Sequence, residues 1–549
     1  MPEKELELRT ISSLAKVFPE RIADGAVHKI THTALGEEVS FQVAVRMLSD
    51  ALTKADYEVR VISELRDFTL YKVGLAPSVF PAYPNKENKD YITTCGGLFP
   101  DPLLPLKNNT FRASPYKWRS LWVSFKIPND ATAADYPVKI QFYKNGEKKA
   151  EARIKIAVHK TALPKSDFLF TDWFHCDCIA DAHGVKIFSE SHWKLIEAYM
   201  KVAAEHGMNM ILTPVLTPAL DTDVGCERPT VQLVEIEKSA DGYRFDFSRL
   251  GRFIEISKRC GIEHFEISHF FTQWGAEFTP KVVAKVNGKR KKIFGWHTSS
   301  LSEDYAEFLR ALIPALIDYF ESRGVERCNL YFHASDEPYK DHLERYERVG
   351  SIIKPLIVGA HHMDALSMFE YYELGLVSTP VVATNHIKPF LDAKVENLWC
   401  YYCCSQNQNT SNRFFAMPSR RNRIIGVQMY KYGIKGFLHW GFNFYYTFLS
   451  KRLVNPYLET DAGEIYPSGD AFTVYPYENG ATPSLRTKVF SEALSDMKLL
   501  YLLEEKIGRE NVISELDRLM GEPISFETSE VNDTFFGDLY EMIFSYLDA

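Results

Sequence analysis

Two adjacent acids, Asp336 and Glu337, are the residues of this sequence best placed to do chemistry. They end the segment 325–338, VERCNLYFHASDEP, in which polar and apolar residues alternate before the acids. The alternation predicts a strand and Pro338 stops it, so both acids lie at a strand's carboxyl end. Barrels of alternating strands and helices carry their active sites at that end. Neighbouring acids oppose each other's ionisation, so one stays protonated as a general acid while the other is charged, as in glycosidic bond hydrolysis.

Aromatic and polar residues also mark the ends of four other predicted strands. Sugars have apolar C–H faces and polar rims, so aromatic floors bordered by amide, imidazole and carboxylate groups suit them. A single tryptophan is more often core packing, but together, at one face of one barrel, these residues predict a sugar-binding pocket. They are Trp173, His175 and Asp177 after the first strand, Gln273 and Trp274 after the third, Trp399, Tyr401 and Tyr402 at the seventh, and His439, Trp440 and Asn443 at the eighth.

Strand-like and helical patterns alternate from residue 166 to residue 483. Counting gives about eight strands, the number in a (β/α)8 TIM barrel, and the acid pair follows the fourth of them. The predicted strands are 167–173, 208–213, 262–271, 325–334, 356–359, 381–384, 397–402 and 435–440, with helices over 193–206, 250–260, 305–323 and 342–353.

The flanking regions have different patterns. Residues 1–165 contain short alternating runs without intervening helices, which predicts a β-sandwich. The proline-rich stretch 99–106, FPDPLLPL, is interpreted as an ordered loop near the contact with the barrel. Residues 484–549 begin with strong helical periodicity, which predicts a small C-terminal helical region. The expected fold is multidomain α/β, with domains over 1–165, 166–483 and 484–549.

Composition excludes several other classes of protein. The 549 residues are 46% hydrophobic and 25% charged, close to the globular average. A net charge of −8 argues against nucleic acid or an anionic membrane as a partner. The first 20 residues contain no apolar core of a signal peptide, and no apolar run long enough to span a membrane follows. We therefore expect a cytoplasmic protein without membrane insertion, unless a leader precedes this sequence.

Nine cysteines are spread along the chain, and the odd number favours free thiols in a reducing compartment. The pair Cys176 and Cys178 and the cluster within 400–404 lack the usual spacing of zinc ligands. Neither a metal site nor a cofactor is predicted. His361-His362 and the basic run 289–292 are interpreted as an ordinary loop and a solvated turn.

Seven longer motifs are spread over nearly the whole chain. They are TDWFHCDCIAD (171–181), HFFTQWGAEFTPK (269–281), FHASDEP (332–338), LWCYYCC (398–404), SNRFFAMPSRRNRIIG (411–426), GFLHWGFNFYY (436–446) and PSGDAFTVYP (467–476). Together they resemble glycoside hydrolase family 123, the retaining β-N-acetylgalactosaminidases. The resemblance implies a β-sandwich, a catalytic barrel and a C-terminal helical part. It also implies substrate-assisted catalysis, in which the 2-acetamido oxygen of the sugar attacks the anomeric carbon.

The same resemblance implies a role for each candidate residue. Glu337 is the general acid and base, and Asp336 accepts the acetamido N–H and stabilises the oxazolinium charge. A tyrosine hydroxyl donates to the acetamido oxygen; Tyr401 and Tyr402 both remain candidates, because neighbours on a strand face opposite ways. Trp440 forms the apolar floor. The other proposed lining residues are Trp399, Gln273, Trp274, His175, Asp177 and Asn443, with Asp470 as a rim contact.

Three functions remain open at the level of sequence. The first is an exo-acting enzyme that removes terminal β-linked GalNAc from a glycolipid or glycoprotein glycan. The second is a broader β-N-acetylhexosaminidase, since an Asp–Glu pair after a fourth barrel strand also resembles family 20 chemistry. The third is a non-catalytic carbohydrate-binding barrel, against which the intact acid pair argues.

Overall fold

The computed structural model describes residues 5–48, 53–84 and 90–549. Its N-terminal part consists mainly of two five-stranded sheets, ordered β1-β5-β10-β7-β8 and β4-β12-β11-β6-β9. Alternate apolar residues of both sheets meet in one core, for example Phe41 and Val123 of the first sheet and Ile140 of the second. The strands are β1 Leu6–Ser12, β2 Lys16–Val17, β3 Ile22–Ala23, β4 Ile30–Leu35, β5 Glu38–Met47, β6 Ala55–Ile62, β7 Phe68–Ser78, β8 Gly97–Pro105, β9 Thr110–Ala113, β10 Arg119–Lys126, β11 Ala134–Lys144 and β12 Glu147–Ala162.

The proline-rich stretch is a strand, so the interpretation of residues 99–106 as a loop is wrong. β8 is the last strand of its sheet, where it pairs with β7, for example Pro100 opposite Leu75 and Pro105 opposite Tyr71. An edge strand needs donors on one side only, so the prolines cost few hydrogen bonds there. The contact expected of this stretch does exist, because Leu103 O accepts a hydrogen bond from the Thr482 hydroxyl.

The central part forms a nearly closed barrel of eight parallel strands, in the order β13-β24-β23-β22-β21-β20-β17-β14. This confirms the mixed α/β, multidomain class. Its elements are β13 Leu169–Asp172, α1 Cys176–Ala182, α2 Glu190–Glu205, β14 Met210–Thr213, β15 Glu235–Ser239, β16 Gly242–Asp246, α3 Ser248–Arg259, β17 His264–Ile267, β18 Val282–Val286, β19 Lys289–Phe294, α4 Glu303–Ser322, β20 Leu330–Phe332, α5 Leu343–Ile353, β21 His361–Leu366, α6 Glu370–Glu373, β22 Thr379–Ala383, α7 Lys388–Asp392, β23 Trp399–Tyr401, α8 Ser419–Arg423, α9 Ile425–Tyr432 and β24 Gly436–His439.

A side chain bridges the seam between β13 and β14, where the ladder is interrupted. Asn209, just before β14, accepts from the Phe170 N–H at 2.9 Å and donates to Phe168 O at 2.9 Å. Its own N–H donates to Phe170 O at 3.2 Å. Asn209 thus hydrogen-bonds to backbone groups that would lack partners at an unpaired strand edge.

Three sequence interpretations in the central part are wrong. The fifth barrel strand is His361–Leu366 rather than 356–359, because α5 continues into a 3-10 turn at Lys354–Leu356. His361 and His362 therefore lie in a strand and not in a loop. The basic run 289–292 starts β19, whose exposed lysines belong to a four-stranded sheet inserted between barrel strands.

A hairpin and three helices follow the barrel: β25 Val474–Tyr477, β26 Gly480–Pro483, α10 Leu485–Ile507, α11 Arg509–Met520 and α12 Phe535–Leu547. α10 packs against α8 and α9 beside the barrel and also contacts α11 and α12. The domain boundaries at 165 and 483 stay predictions. Among the described residues, no helix is long and apolar enough to cross a membrane.

A buried ion pair joins the N-terminal sheets to α10. Arg486 donates two hydrogen bonds of 2.8 Å to the Asp101 carboxylate, and both side chains are at most 3% exposed. Tyr475 donates to the same carboxylate at 2.5 Å. The contact between these regions is therefore built around two buried charges that depend on each other.

Replacing Asp101 by Ala should lower the free energy of unfolding by about 3–5 kcal/mol, because Arg486 would stay buried without a counter-charge. Denaturant unfolding measures the loss. The matched control is Asp56→Ala, which breaks an exposed pair with Arg112 and should cost about 0–1 kcal/mol. Equal losses in the two variants would contradict the role of the buried pair.

Candidate active site

Asp336 and Glu337 lie in a loop that is hydrogen-bonded to both neighbouring parts of the barrel. β20 ends at Phe332, and the Glu337 N–H donates to Ala365 O of β21 at 3.0 Å. On the other side, the Trp274 N–H donates to Asp336 O at 3.0 Å. Glu337 has a φ of 42°, a left-handed conformation that non-glycine residues rarely keep unless their surroundings impose it. These contacts fix the acids at the carboxyl end of the fourth strand.

Burial disfavours negative charge on both acids. It raises the pKa of Asp336 well above the ordinary value, and the neighbouring Glu337 raises it further. Burial also raises the pKa of Glu337, although a hydrogen bond from Tyr401 opposes the shift; Asp470 adds to it. Because each acid opposes the ionisation of the other, the pair retains a proton at a pH where isolated carboxylic acids have lost theirs. The pair is thus able to supply that proton.

Tyr401 is the tyrosine that reaches the acid pair. Its hydroxyl donates to Oε1 of Glu337, and its ring packs inside the barrel. The next residue, Tyr402, packs in the core outside the barrel and donates to Asn422 Oδ1 at 3.0 Å. The alternation of side chains along β23 explains why one of the two tyrosines faces the acids and the other does not.

Trp440 lies beside Asp470, which was predicted as a rim contact. The indole Nε1 donates to Asp470 Oδ2 at 3.0 Å, which fixes one edge of the half-buried ring. Phe444 and Tyr466 pack edge-to-face against the indole, with centroids 5.1 and 5.3 Å away. Such a fixed ring, part of it open to solvent, suits the apolar face of a sugar.

His439 links Asp470 to the first strand. Its Nδ1 accepts from Arg413 Nη2 at 2.6 Å and from the Gly441 N–H at 3.0 Å, so we assign its proton to Nε2. That nitrogen lies 3.5 Å from Asp470 Oδ1. Arg413 in turn donates to Asp172 Oδ2 at 3.0 Å. Hydrogen-bonded groups thus run from Asp172 through Arg413 to His439, which lies beside the carboxylate that holds the indole.

Four residues predicted to line the pocket are engaged by the protein itself. The Asn443 side chain bridges the backbone N–H and O of His175, at 2.8 and 3.1 Å. Asp177 forms a buried ion pair with Arg228 at 2.8 Å. Trp399 is buried at the start of β23 and lies in the barrel core, below Tyr401. As substrate contacts these residues stay predictions.

Other rim residues gave no signal in the sequence. Asp221 donates its N–H to the Gln273 side chain and accepts from Tyr466, and burial raises its pKa to about 6. Asp221 lies in the loop after β14, and no functional residue was predicted at the end of that strand. Tyr339, two residues after Glu337, is 59% exposed. Trp274, which was predicted as a lining residue, is 43% exposed.

A buried charge cluster lies directly before the acid loop. His333 Nε2 is 2.8 Å from Glu266 Oε1, and His333 Nδ1 is 3.0 Å from Asp364 Oδ1. With His269, two of these residues form a group whose ligand-type atoms lie within 4.8 Å of one another. The two imidazole rings are stacked at 4.1 Å, however, and both His333 nitrogens already face carboxylates. The arrangement fits a hydrogen-bonded charge cluster better than a metal centre.

An acid pair at the carboxyl end of a barrel strand, beside a fixed indole, is the arrangement of a glycoside hydrolase. The family model described as the glycoside hydrolase 123 catalytic domain matches residues 173–503, more than half of the chain. The protein therefore belongs to glycoside hydrolase family 123.

Structural comparison gives a consistent result. A family 123 glycoside hydrolase from Clostridium perfringens, studied for glycolipid glycan hydrolysis, is 15% identical, with a TM-score of 0.74 over 99% of this chain and 98% of that one. This likeness supports the fold. A β-D-glucuronidase from Dictyoglomus thermophilum, 8% identical over 86% of this chain and 71% of its own, has a TM-score of 0.33, too low to support an argument. The comparison with curated proteins found no match.

Replacing Tyr401 by Phe removes the hydrogen bond that lowers the pKa of Glu337, so that pKa should rise. A general acid works while protonated, and the alkaline limb of the pH profile of kcat/KM should therefore move to higher pH, with reduced activity at the optimum. The matched control, Tyr402→Phe, removes the same hydroxyl on the other side of the strand and should leave the limb in place. Equal shifts in both variants would contradict the assignment.

Proposed function

We propose that this glycosidase removes terminal, non-reducing β-linked N-acetylgalactosamine from glycans, with retention of configuration and through an oxazolinium intermediate. The observation that carries the proposal is the buried Asp336–Glu337 pair, in which Tyr401 contacts one of the acids. Glycans of glycolipids or glycoproteins are the expected substrates. No cofactor is required, and a cytoplasmic location is part of the proposal.

The proposed reaction has two steps. In the first, the 2-acetamido oxygen attacks the anomeric carbon while Glu337 transfers its proton to the departing glycosidic oxygen. In the second, the Glu337 carboxylate takes a proton from water, which attacks the same carbon and reopens the ring. Two inversions at one carbon give retention. The Tyr401 hydroxyl, which donates to Glu337 in the free enzyme, is proposed to donate to the acetamido oxygen once a sugar occupies the site.

Asp336 is proposed to accept the acetamido N–H. Burial disfavours its charge in the free enzyme, and the positive charge of the oxazolinium favours it. The interaction between Asp336 and the acetamido group therefore strengthens as the intermediate forms. An interaction that is stronger in the transition state than in the bound substrate accelerates the reaction. Trp440, held by Asp470, is proposed as the floor beneath the sugar ring.

A finer description of the fold also belongs to the proposal. The parallel barrel, with a helix between successive strands, is proposed to be a (β/α)8 barrel. The two N-terminal sheets are proposed to form a β-sandwich over residues 1–165, with the barrel over 166–483 and a helical part over 484–549.

Replacing Glu337 by Gln should reduce turnover of a natural oligosaccharide by about 10²–10⁴, since a positioned acid contributes that much. The loss should be smaller for a nitrophenyl glycoside, whose leaving group needs little protonation. An exposed residue, Glu373→Gln on α6, is the control and should retain full activity. Wild-type turnover of the natural substrate by the Glu337 variant would remove this residue from the role.

Hydrolysis should require the acetamido group of the substrate. We expect turnover of the chromogenic β-GalNAc glycoside and no turnover of the plain β-galactoside, because the galactoside lacks the attacking oxygen. A thiazoline of GalNAc, which mimics the cyclised intermediate, should bind far more tightly than GalNAc. A fluorosugar trapped covalently on Asp336 or Glu337 would replace this mechanism by one with an enzymic nucleophile. Equal turnover of the β-GlcNAc glycoside would indicate the broader hexosaminidase.

A further inference from the structure

Three fully buried residues carry charge directly before the acid pair. Glu266 lies on β17, His333 follows β20, and Asp364 lies on β21, so three neighbouring strands meet at the imidazole. All three side chains have no exposed surface. Charges in such a place persist only when partners compensate them, so the hydrogen bonds of this group reveal its protonation.

Donors surround both carboxylates. Glu266 accepts from the Thr171 hydroxyl and the Trp173 indole, both at 2.6 Å, in addition to His333. Asp364 accepts from the Tyr346 hydroxyl, and hydrogen bonds to its neighbours outweigh the effect of burial and lower its pKa. Because donors already bond to the carboxylate oxygens of Glu266 and Asp364, neither acid needs to keep its own proton. Each His333 nitrogen therefore faces an acceptor and must itself donate.

A neutral imidazole donates through one nitrogen only, so His333 is an imidazolium. Burial lowers its pKa, but the bonds to Asp364 and Glu266 outweigh this effect and raise the pKa to about 9. His269 stacks on the ring at 4.1 Å and is itself neutral, because burial holds its pKa well below the ordinary value.

The same cluster holds the acid loop. Asp364 accepts the backbone N–H of Ala334 at 3.1 Å and of Ser335 at 3.3 Å, the two residues that lead into Asp336. The groups that act on the charge of Asp336 are the acids Glu337, Asp364 and Glu266, which oppose it, and the cation His333, which favours it.

We infer that His333 is a positioning residue whose permanent positive charge, fixed between Glu266 and Asp364, favours the ionised form of Asp336 and offsets part of the cost of its burial. The inference rests on the proposed function, in which Asp336 accepts the acetamido N–H. Without this charge, three buried carboxyl groups would face Asp336 with no cation to balance them. Because this cation acts on Asp336, the cluster favours Asp336 as the charged member of the pair and leaves Glu337 as the proton donor.

The activity test uses His333→Gln in the full-length protein. Loss of the cation should raise the pKa of Asp336 and move the acid limb of kcat/KM to higher pH by about one unit, at the low end for a nearby opposite charge. The alkaline limb, set by Glu337, should stay in place. The control is His192→Gln, which replaces a fully buried histidine bonded to Cys176 O, and its acid limb should not move. An unmoved acid limb in H333Q would overturn the inference.

A second measurement needs no substrate. Wild-type protein labelled with 13C at histidine Cε1 should show an imidazolium resonance that does not titrate between pH 5 and pH 8, which spans the ordinary range of histidine. The matching resonance should be missing from H333Q where that variant folds. Absence of a non-titrating imidazolium signal in the wild type would overturn the inference. A failure to hydrolyse β-GalNAc would refute the proposed substrate and leave this result unaffected.

Discussion

The burial of two adjacent acids is the constraint on which the rest of the site depends. Each carboxyl group loses the solvation of its charge, and each opposes the ionisation of the other. The protein meets this constraint with rigid surroundings. The backbone of Asp336 and Glu337 is bonded to Trp274 and Ala365, and the left-handed conformation of Glu337 persists because these contacts hold it.

On the other side of the pocket, the eighth and first strands support the indole. β24 pairs with β13, and the network from Asp470 through His439 and Arg413 to Asp172 crosses that pairing. The Asn443 amide makes a second crossing through its two bonds to the His175 backbone. Buried polar groups that are hydrogen-bonded to one another rigidify a core. The position of Trp440 is therefore set by side chains that no sugar needs to touch.

Local pattern was sufficient to locate the acid pair, since the alternation before Asp336 and the proline after Glu337 mark a strand end. It also placed this strand fourth in the barrel. It did not separate Tyr401 from Tyr402, because which face of a strand points inward depends on the whole sheet. The strand at 97–105 was missed because its prolines are harmless only at a sheet edge, and edge position is a property of the tertiary fold.

The partners of His333 lay beyond sequence reasoning for a similar reason. Glu266 is 67 positions before it and Asp364 is 31 positions after it, and neither stands in a recognisable motif of acids. A histidine on a strand is an unremarkable residue until its neighbours in the barrel are known. The pattern of one sequence reports periodicity along the chain. The charge state of a buried group depends on residues that are distant in sequence and close in the fold.

The charge preference of Asp336 bears on the choice between two kinds of retaining mechanism. An enzymic nucleophile must be ionised before the reaction begins, and the burial of Asp336 makes that state costly in the free enzyme. A carboxylate that only stabilises an oxazolinium is needed once the cation has formed, and the cation itself then favours the ionised form. The burial of Asp336 thus hinders a mechanism in which Asp336 is the nucleophile. In a mechanism in which Asp336 stabilises the oxazolinium, the same burial makes the interaction stronger in the intermediate than in the free enzyme. A nearby fixed imidazolium reduces the initial cost without supplying a nucleophile, which is the balance that a substrate-assisted reaction requires.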